Sequence, residues 1–215
     1  MPKKEVLIKH ATILATYVLI VWGFYRMLFK LPEEIEELLI KPFLWLLPVA
    51  YFVHKEKGDF TSLGVSIKNL FPAIYVSLSL GIIFAIEGAL INFVRYDGSD
   101  FSANLGSLSF ISALGISLAT AISEEITFRG YLFKRIWYVL ENEWAANLLT
   151  SFIWALVHIP VAIFWWELDA SNTFIFLFLT TIFGIGSAFV FARTKNVVSS
   201  ILLHVLWSWP IVLFR

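Results

Sequence analysis

Seven stretches of this chain, near 7–29, 39–54, 71–94, 108–130, 146–165, 174–192 and 197–214, are predominantly apolar, and most are about one bilayer long as helix. A hydrocarbon core of about 30 Å takes roughly 20 helical residues. Within it every backbone N–H and C=O must be paired inside the protein, which leaves helices or closed barrels. Runs of this length predict an all-α, polytopic transmembrane helix bundle of about seven spans, folded as a single integral membrane domain over 1–215. Composition points the same way: 59% of residues are hydrophobic, 15% are charged and the mean hydropathy is +0.81, unlike a soluble domain. Trp137, Trp144, Trp165 and Trp166 fall at segment ends, as expected of interfacial aromatic belts. Six of the runs are clear. The second carries Lys41, Pro42 and Pro48, which leaves open a kinked span or a segment that dips in and returns.

With no cysteine in the chain, disulfides, thiolate metal sites and a cysteine nucleophile are excluded. The formal net charge is zero and there is no basic block, so nucleic acid is not an expected partner; the lipid bilayer is. Pro2-Lys3-Lys4 ahead of the first run resembles the basic start of a secretory signal, but the run is long and no small-x-small site follows, so a retained signal anchor is expected. Lys30–Glu37 reads as a charged interfacial helix, Lys55–Asn69 as a polar connector and Arg95–Gly106 as a loop. With seven spans, 11 Lys and Arg residues fall on the amino-terminal side against 5 on the other, which places that side in the cytoplasm. The count is unchanged if the second segment does not cross.

Against this background, ionisable residues inside apolar runs stand out. Such side chains are costly in a bilayer and by default mark a functional site. Glu124, Glu125 and Arg129 lie in the fourth run, His158 in the fifth and His204 in the seventh. At a rise of about 1.5 Å per residue, these segment positions predict overlapping depths between the cytoplasmic face and the mid-plane. Glu125 and Arg129 are spaced i, i+4 and could be an ordinary helical ion pair, and a lone membrane histidine is often an interhelical hydrogen-bonding partner. Glu124 has Phe128 at i+4, so it needs a partner from another helix, a water-filled cavity, or a raised pKa that leaves it neutral. A shared site on several helices is the economical reading. Ala113, Ser117 and Ala121, and Gly184 with Ala188, form small-residue faces for close helix packing. Glu87 in the third run is a further buried acid, with no chemistry assigned.

The same residues carry a family resemblance. S-E-E-I-T-F-R-G at 123–130 resembles the Glu-Glu-x-x-x-Arg motif of the CPBP family, the CAAX prenyl proteases and bacteriocin-processing or Abi proteins. I-W-A-L-V-H at 153–158 is similar to its second motif, usually Phe-x-x-x-His, and L-H-V-L-W-S at 203–208 to its third, usually His-x-x-x-Asn. The resemblance covers 108–212, which would form a catalytic core from the last four helices. Trp154 replaces the usual phenylalanine, a change of bulk on a packing face. Ser208 replaces the usual asparagine, which in the family is thought to work with the third-motif histidine to stabilise the oxyanion. Serine retains one donor but has a shorter reach.

The resemblance implies an intramembrane endopeptidase acting on a membrane-associated or carboxy-terminally lipidated peptide, without a cofactor. Peptide hydrolysis needs a water, a base and donors for the developing oxyanion. Glu124 would be the base, with His158 positioning the water and His204 with Ser208 holding the oxyanion. Glu125 and Arg129 would orient Glu124, and the resemblance implies that both are needed for activity. A rival mechanism has Glu124, His158 and His204 holding zinc with an open water position, although the chain lacks His-Glu-x-x-His. Two other classes stay open. One is a non-catalytic immunity or scaffold protein that keeps the pocket to bind a peptide, for which Ser208 leaves room. The other is a proton-coupled transporter, which would be expected to show repeated halves.

Overall fold

The computed structural model describes residues 2–95 and 109–213. The expected loop over Arg95–Gly106 lies, from residue 96 on, outside the described residues. All described regular structure is helical: α1 (Lys4–Leu28), α2 (33–55), α3 (Leu70–Arg95), α4 (Phe110–Leu140), α5 (Glu143–Trp165), α6 (Ala170–Thr194) and α7 (Val197–Leu213), with a 3-10 turn at Phe60–Leu63. Helices α1, α4, α5 and α6, and α3 over Leu70–Leu90, are long and apolar enough to cross a membrane; Val197–Ser208 of α7 is a shorter apolar stretch.

Helix starts follow their capping residues. Ser109, Asn142 and Asp169 each accept the backbone N–H three residues on, at the first turns of α4, α5 and α6. At the other ends, Glu141 after α4 and Lys195 after α6 adopt left-handed φ angles of 55° and 56°, turning the chain within a residue or two into the next helix.

Segment 33–55 forms one continuous helical rod despite Lys41 and the two prolines, and it is not among the helices long and apolar enough to cross a membrane. It returns along α1 as an antiparallel partner, with Arg26 bonded to Glu36, Trp22 edge-on to Trp45 at 5.6 Å and His10 bonded to Glu56 at 3.2 Å. Contacts from one end of α1 to the other mean that α2 runs its whole length, about 34 Å at helical rise. Its charged residues Glu36, Glu37 and Lys41 are buried against neighbouring helices. The expected interfacial helix at Lys30–Glu37 is instead the start of this rod.

Helix α4 is central, packing against α1, α2, α5, α6 and α7. Phe128, Tyr131, Leu132 and Phe133 are wholly buried there, while α3 lies outside on α6 and α7. The expected end of this segment at Gly130 is corrected. A π-helical stretch, Ile126–Phe133, carries the rod on to Leu140. Arg129 resembles an interfacial charge in sequence but is buried, and the 60–63 turn presses on Gly130 so closely that a Cβ there would meet the Leu63 carbonyl at 2.8 Å. Glu124 therefore sits near the middle of α4, roughly 20 Å from either end, rather than near an inner mouth.

Candidate active site

Consecutive residues on a helix point about 100° apart, so Glu124 and Glu125 face different neighbours. Glu124 faces α2 and α5. Its Oε1 accepts from Lys41 Nζ at 2.9 Å and its Oε2 from the Trp154 indole N–H at 2.8 Å. Glu125 faces α6 and α7. Its Oε1 accepts from His204 Nδ1 at 2.8 Å and Arg129 Nη1 at 3.2 Å, and its Oε2 from Ser187 Oγ at 2.7 Å. The two adjacent acids thus build two arms of one buried site.

His158 owes its position to Pro160. Proline lacks the N–H that would continue the α5 ladder and disfavours helical geometry just before it, so the α-helix closes at Val157 and His158 caps it with φ −88° and ψ −8°. Its Nδ1 lies 2.8 Å from the Trp154 carbonyl. A carbonyl only accepts, so Nδ1 carries the proton and the neutral ring presents Nε2 as an acceptor. Nε2 faces Glu124 Oε2 at 3.9 Å, beyond a direct hydrogen bond but close enough for one water to donate to both.

Trp154 joins the arms. Besides its N–H bond to Glu124, it lies edge-on to His158 at 4.7 Å and to His204 at 5.8 Å, and Arg129 Cζ lies 4.7 Å from its ring centre. Treating it as a change of bulk on a packing face is therefore incomplete: phenylalanine could make these ring contacts but could not donate to Glu124. Arg129 also donates to the Gly184 carbonyl at 3.2 Å, and Gly184 lies so near Ser151 that a Cβ would meet it at 2.9 Å. One half of the Gly184/Ala188 pair thus meets the site directly.

Lys41, Glu37 and Thr120 are the site residues that sequence reasoning missed. Lys41 Nζ also donates to Glu37 Oε2 at 2.6 Å, and the same oxygen accepts from Thr120 Oγ1 at 2.7 Å. The missed signal was Lys41 itself. A lysine in an apolar run invites the same question as Glu124, yet in sequence, beside two prolines, it weighs only against a plain span.

Ser208 lies one turn beyond His204 on α7, donates to the Val205 carbonyl at 3.2 Å and sits 3.3 Å from Ser117 Oγ. Glu87 on α3 pairs with Trp207 and leaves one buried carboxyl oxygen without a hydrogen-bond partner. The donor set for zinc is not assembled: among the described residues no three His, Cys, Asp or Glu side chains are grouped to hold a metal ion. His204 instead turns its Nδ1 to Glu125.

Comparison with protein families matches residues 106–210 to the Rce1-like model, described as type II CAAX prenyl endopeptidase Rce1-like. No curated protein and no solved structure matches the chain.

Proposed function

We propose, from the premise that segment 106–210 belongs to the Rce1-like family of CAAX-type intramembrane proteases, that this multi-pass membrane protein hydrolyses its peptide bond with a water activated by Glu124. The supporting observation is the placement of Glu124 Oε2 opposite His158 Nε2 at 3.9 Å. Both atoms are acceptors, so a water between them donates its two hydrogens and aims an oxygen lone pair at the scissile carbonyl carbon. As the new C–O bond forms, one water proton passes to Glu124. Its transfer to the amide nitrogen lets the C–N bond break, giving a carboxylic acid and an amine.

His204 serves the oxyanion when its ring is an imidazolium. Nδ1 then donates to Glu125, which supplies the counter-charge, while Nε2–H is free to donate to the carbonyl oxygen. Arg129 and Ser187 fix Glu125 in turn. The substrate class is a membrane-associated or carboxy-terminally lipidated peptide. Lys4, Lys55, Lys57, Lys68, Lys134, Arg193 and Lys195 gather at the amino-terminal end of the bundle, which supports a cytoplasmic orientation of that end.

One observation favours a second reading, that of a peptide-binding protein without hydrolysis. The Ser208 hydroxyl, expected as the second oxyanion donor, is engaged by its own helix and by Ser117. Losing such a donor costs about 10²–10³ in rate. The test is cleavage of prenylated CAAX peptides and double-glycine leader peptides by the purified protein in detergent, beside Glu124→Ala and with and without chelator. Cleavage abolished in the mutant but not by chelator supports the glutamate mechanism. Loss with chelator overturns it in favour of metal, and no cleavage by folded protein favours the binding reading, with Ser208→Asn as the restoring variant.

A further inference from the structure

We infer that Lys41, on a helix outside the family-matching segment, is a positioning residue for the Glu124 base; the inference rests on the hydrolase reading above. Lys41 is buried to 4% exposure midway along the bundle. Two of its three N–H groups are used, one on Glu124 Oε1 and one on Glu37 Oε2. Trp22 and Trp45 flank the ammonium with ring centres at 5.3 and 5.6 Å, so the cation is surrounded by acceptors and π faces rather than lipid.

The geometry ties this residue to the orientation of the base. A glutamate side chain has three rotatable bonds, and its reactive oxygen is useful only if it points at the water. Lys41 holds Oε1 from the α2 side and Trp154 holds Oε2 from the α5 side. With both oxygens engaged from opposite neighbours, the carboxylate plane is set and Oε2 is directed at His158. The clamp is itself anchored: Glu37 lies one helical turn before Lys41 and is bound to α4 through Thr120, four residues before Glu124. Thr120, Glu37, Lys41 and Glu124 thus form a closed ring of contacts between α2 and α4. A lysine that only neutralised Glu37 would not need to reach Glu124.

A positioning role and a merely structural one separate in a pair of measurements on the full chain in detergent. The first needs no substrate: thermal unfolding of Lys41→Met, Glu124→Gln and the double variant. The inference expects strong non-additivity, with the double variant losing no more than the worse single one; additive losses overturn it. The second compares wild type, Lys41→Met and Glu37→Gln/Lys41→Met for kcat, KM and unfolding temperature. The paired substitution removes one of the two carboxylates that Lys41→Met strands, so it should regain part of the stability that Lys41→Met loses. Its kcat should nevertheless stay about 100-fold below wild type, the scale of a misplaced reacting group, at unchanged KM. Recovery of kcat along with stability overturns the positioning role. Additive unfolding beside normal wild-type cleavage removes the Lys41 role alone. A wild-type protein that cleaves nothing removes the hydrolase reading and the positioning role with it, whatever the unfolding cycle shows.

Discussion

Two buried charge clusters sit on α4, built from similar parts and closed differently. In the cluster toward the amino-terminal end, Glu56 accepts from Tyr131 at 2.5 Å, from Arg135 Nε and Nη2 at 3.1 and 3.0 Å, and lies 3.2 Å from His10. Arg135 spends its remaining donors on the Ser62 carbonyl and hydroxyl and on the Gly130 carbonyl. Both Glu56 oxygens are fully engaged, as expected of a buried pair that fastens a loop to a helix. In the mid-bundle cluster Glu124 is also buried and also paired with a cation, yet its Oε2 looks across 3.9 Å at a histidine nitrogen that it does not bond. A carboxylate in a saturated network is structural material. One that accepts a single bond at each oxygen and faces a histidine nitrogen without bonding it leaves room for the water that the proposed hydrolysis needs.

The sharpest way to break that contrast is to neutralise each acid without changing its shape. Glu124→Gln should lower kcat by about 10²–10⁴, the usual contribution of a general base, and a folded protein should remain that still binds peptide. Glu56→Gln should do the reverse. Breaking a buried pair on one side costs about 3–5 kcal/mol, read as a fall in unfolding temperature, while kcat measured below that temperature stays near wild type. If Glu56→Gln inactivated a protein of undiminished stability, the division into structural and reactive clusters would fail.

The contrast also separates what the sequence discloses from what it hides. Helices in lipid announce themselves because each apolar run is its own signal. Glu124, Glu125, Arg129, His158 and His204 were legible because an ionisable group in such a run has few innocent explanations. What stayed hidden was decided by contacts between distant segments. Lys41 meets Glu124 across 83 positions, and before that contact is known its charge argues against a span. Arg129 resembles a boundary charge in sequence, which predicts an end of α4 at Gly130, whereas Glu125, Gly184 and Trp154 enclose it in the bundle. The split of the paired glutamates, His158 to one and His204 to the other, depends on helix rotation in the assembled bundle.

A smaller effect tests whether the Glu124 edge is held by its indole neighbour. Trp154→Phe keeps an aromatic ring under Arg129 but removes the N–H bond to Oε2. A hydrogen bond to a charged group contributes about 1.5–3 kcal/mol, so kcat should fall by about tenfold or more with little change in KM. The smaller ring also leaves space in a fully buried position, and the unfolding temperature should drop modestly. An unchanged kcat would mean that Lys41 alone sets the carboxylate.

The smallest effect concerns the loop that closes the Glu56 cluster. Asp59 accepts from the Thr61 hydroxyl at 2.6 Å and the Ser62 N–H at 3.2 Å, capping the 60–63 turn that supplies Ser62 to Arg135. The Thr61 hydroxyl, followed by the backbone N–H groups, holds the Asp59 carboxyl below its ordinary value. A carboxyl lowered by folding contributes in full above its unfolded value of about 3.9 and loses that contribution as pH falls through the lower folded value. Amide exchange over 60–64 should therefore speed up, relative to its intrinsic rate, as the protein is acidified below about pH 4. Asp59→Asn, which cannot titrate, should show the looser turn with no such pH dependence. An unaltered acid response in Asp59→Asn would mean that a group other than Asp59 titrates, and the Asp59 cap would then not be what makes the turn sensitive to acid.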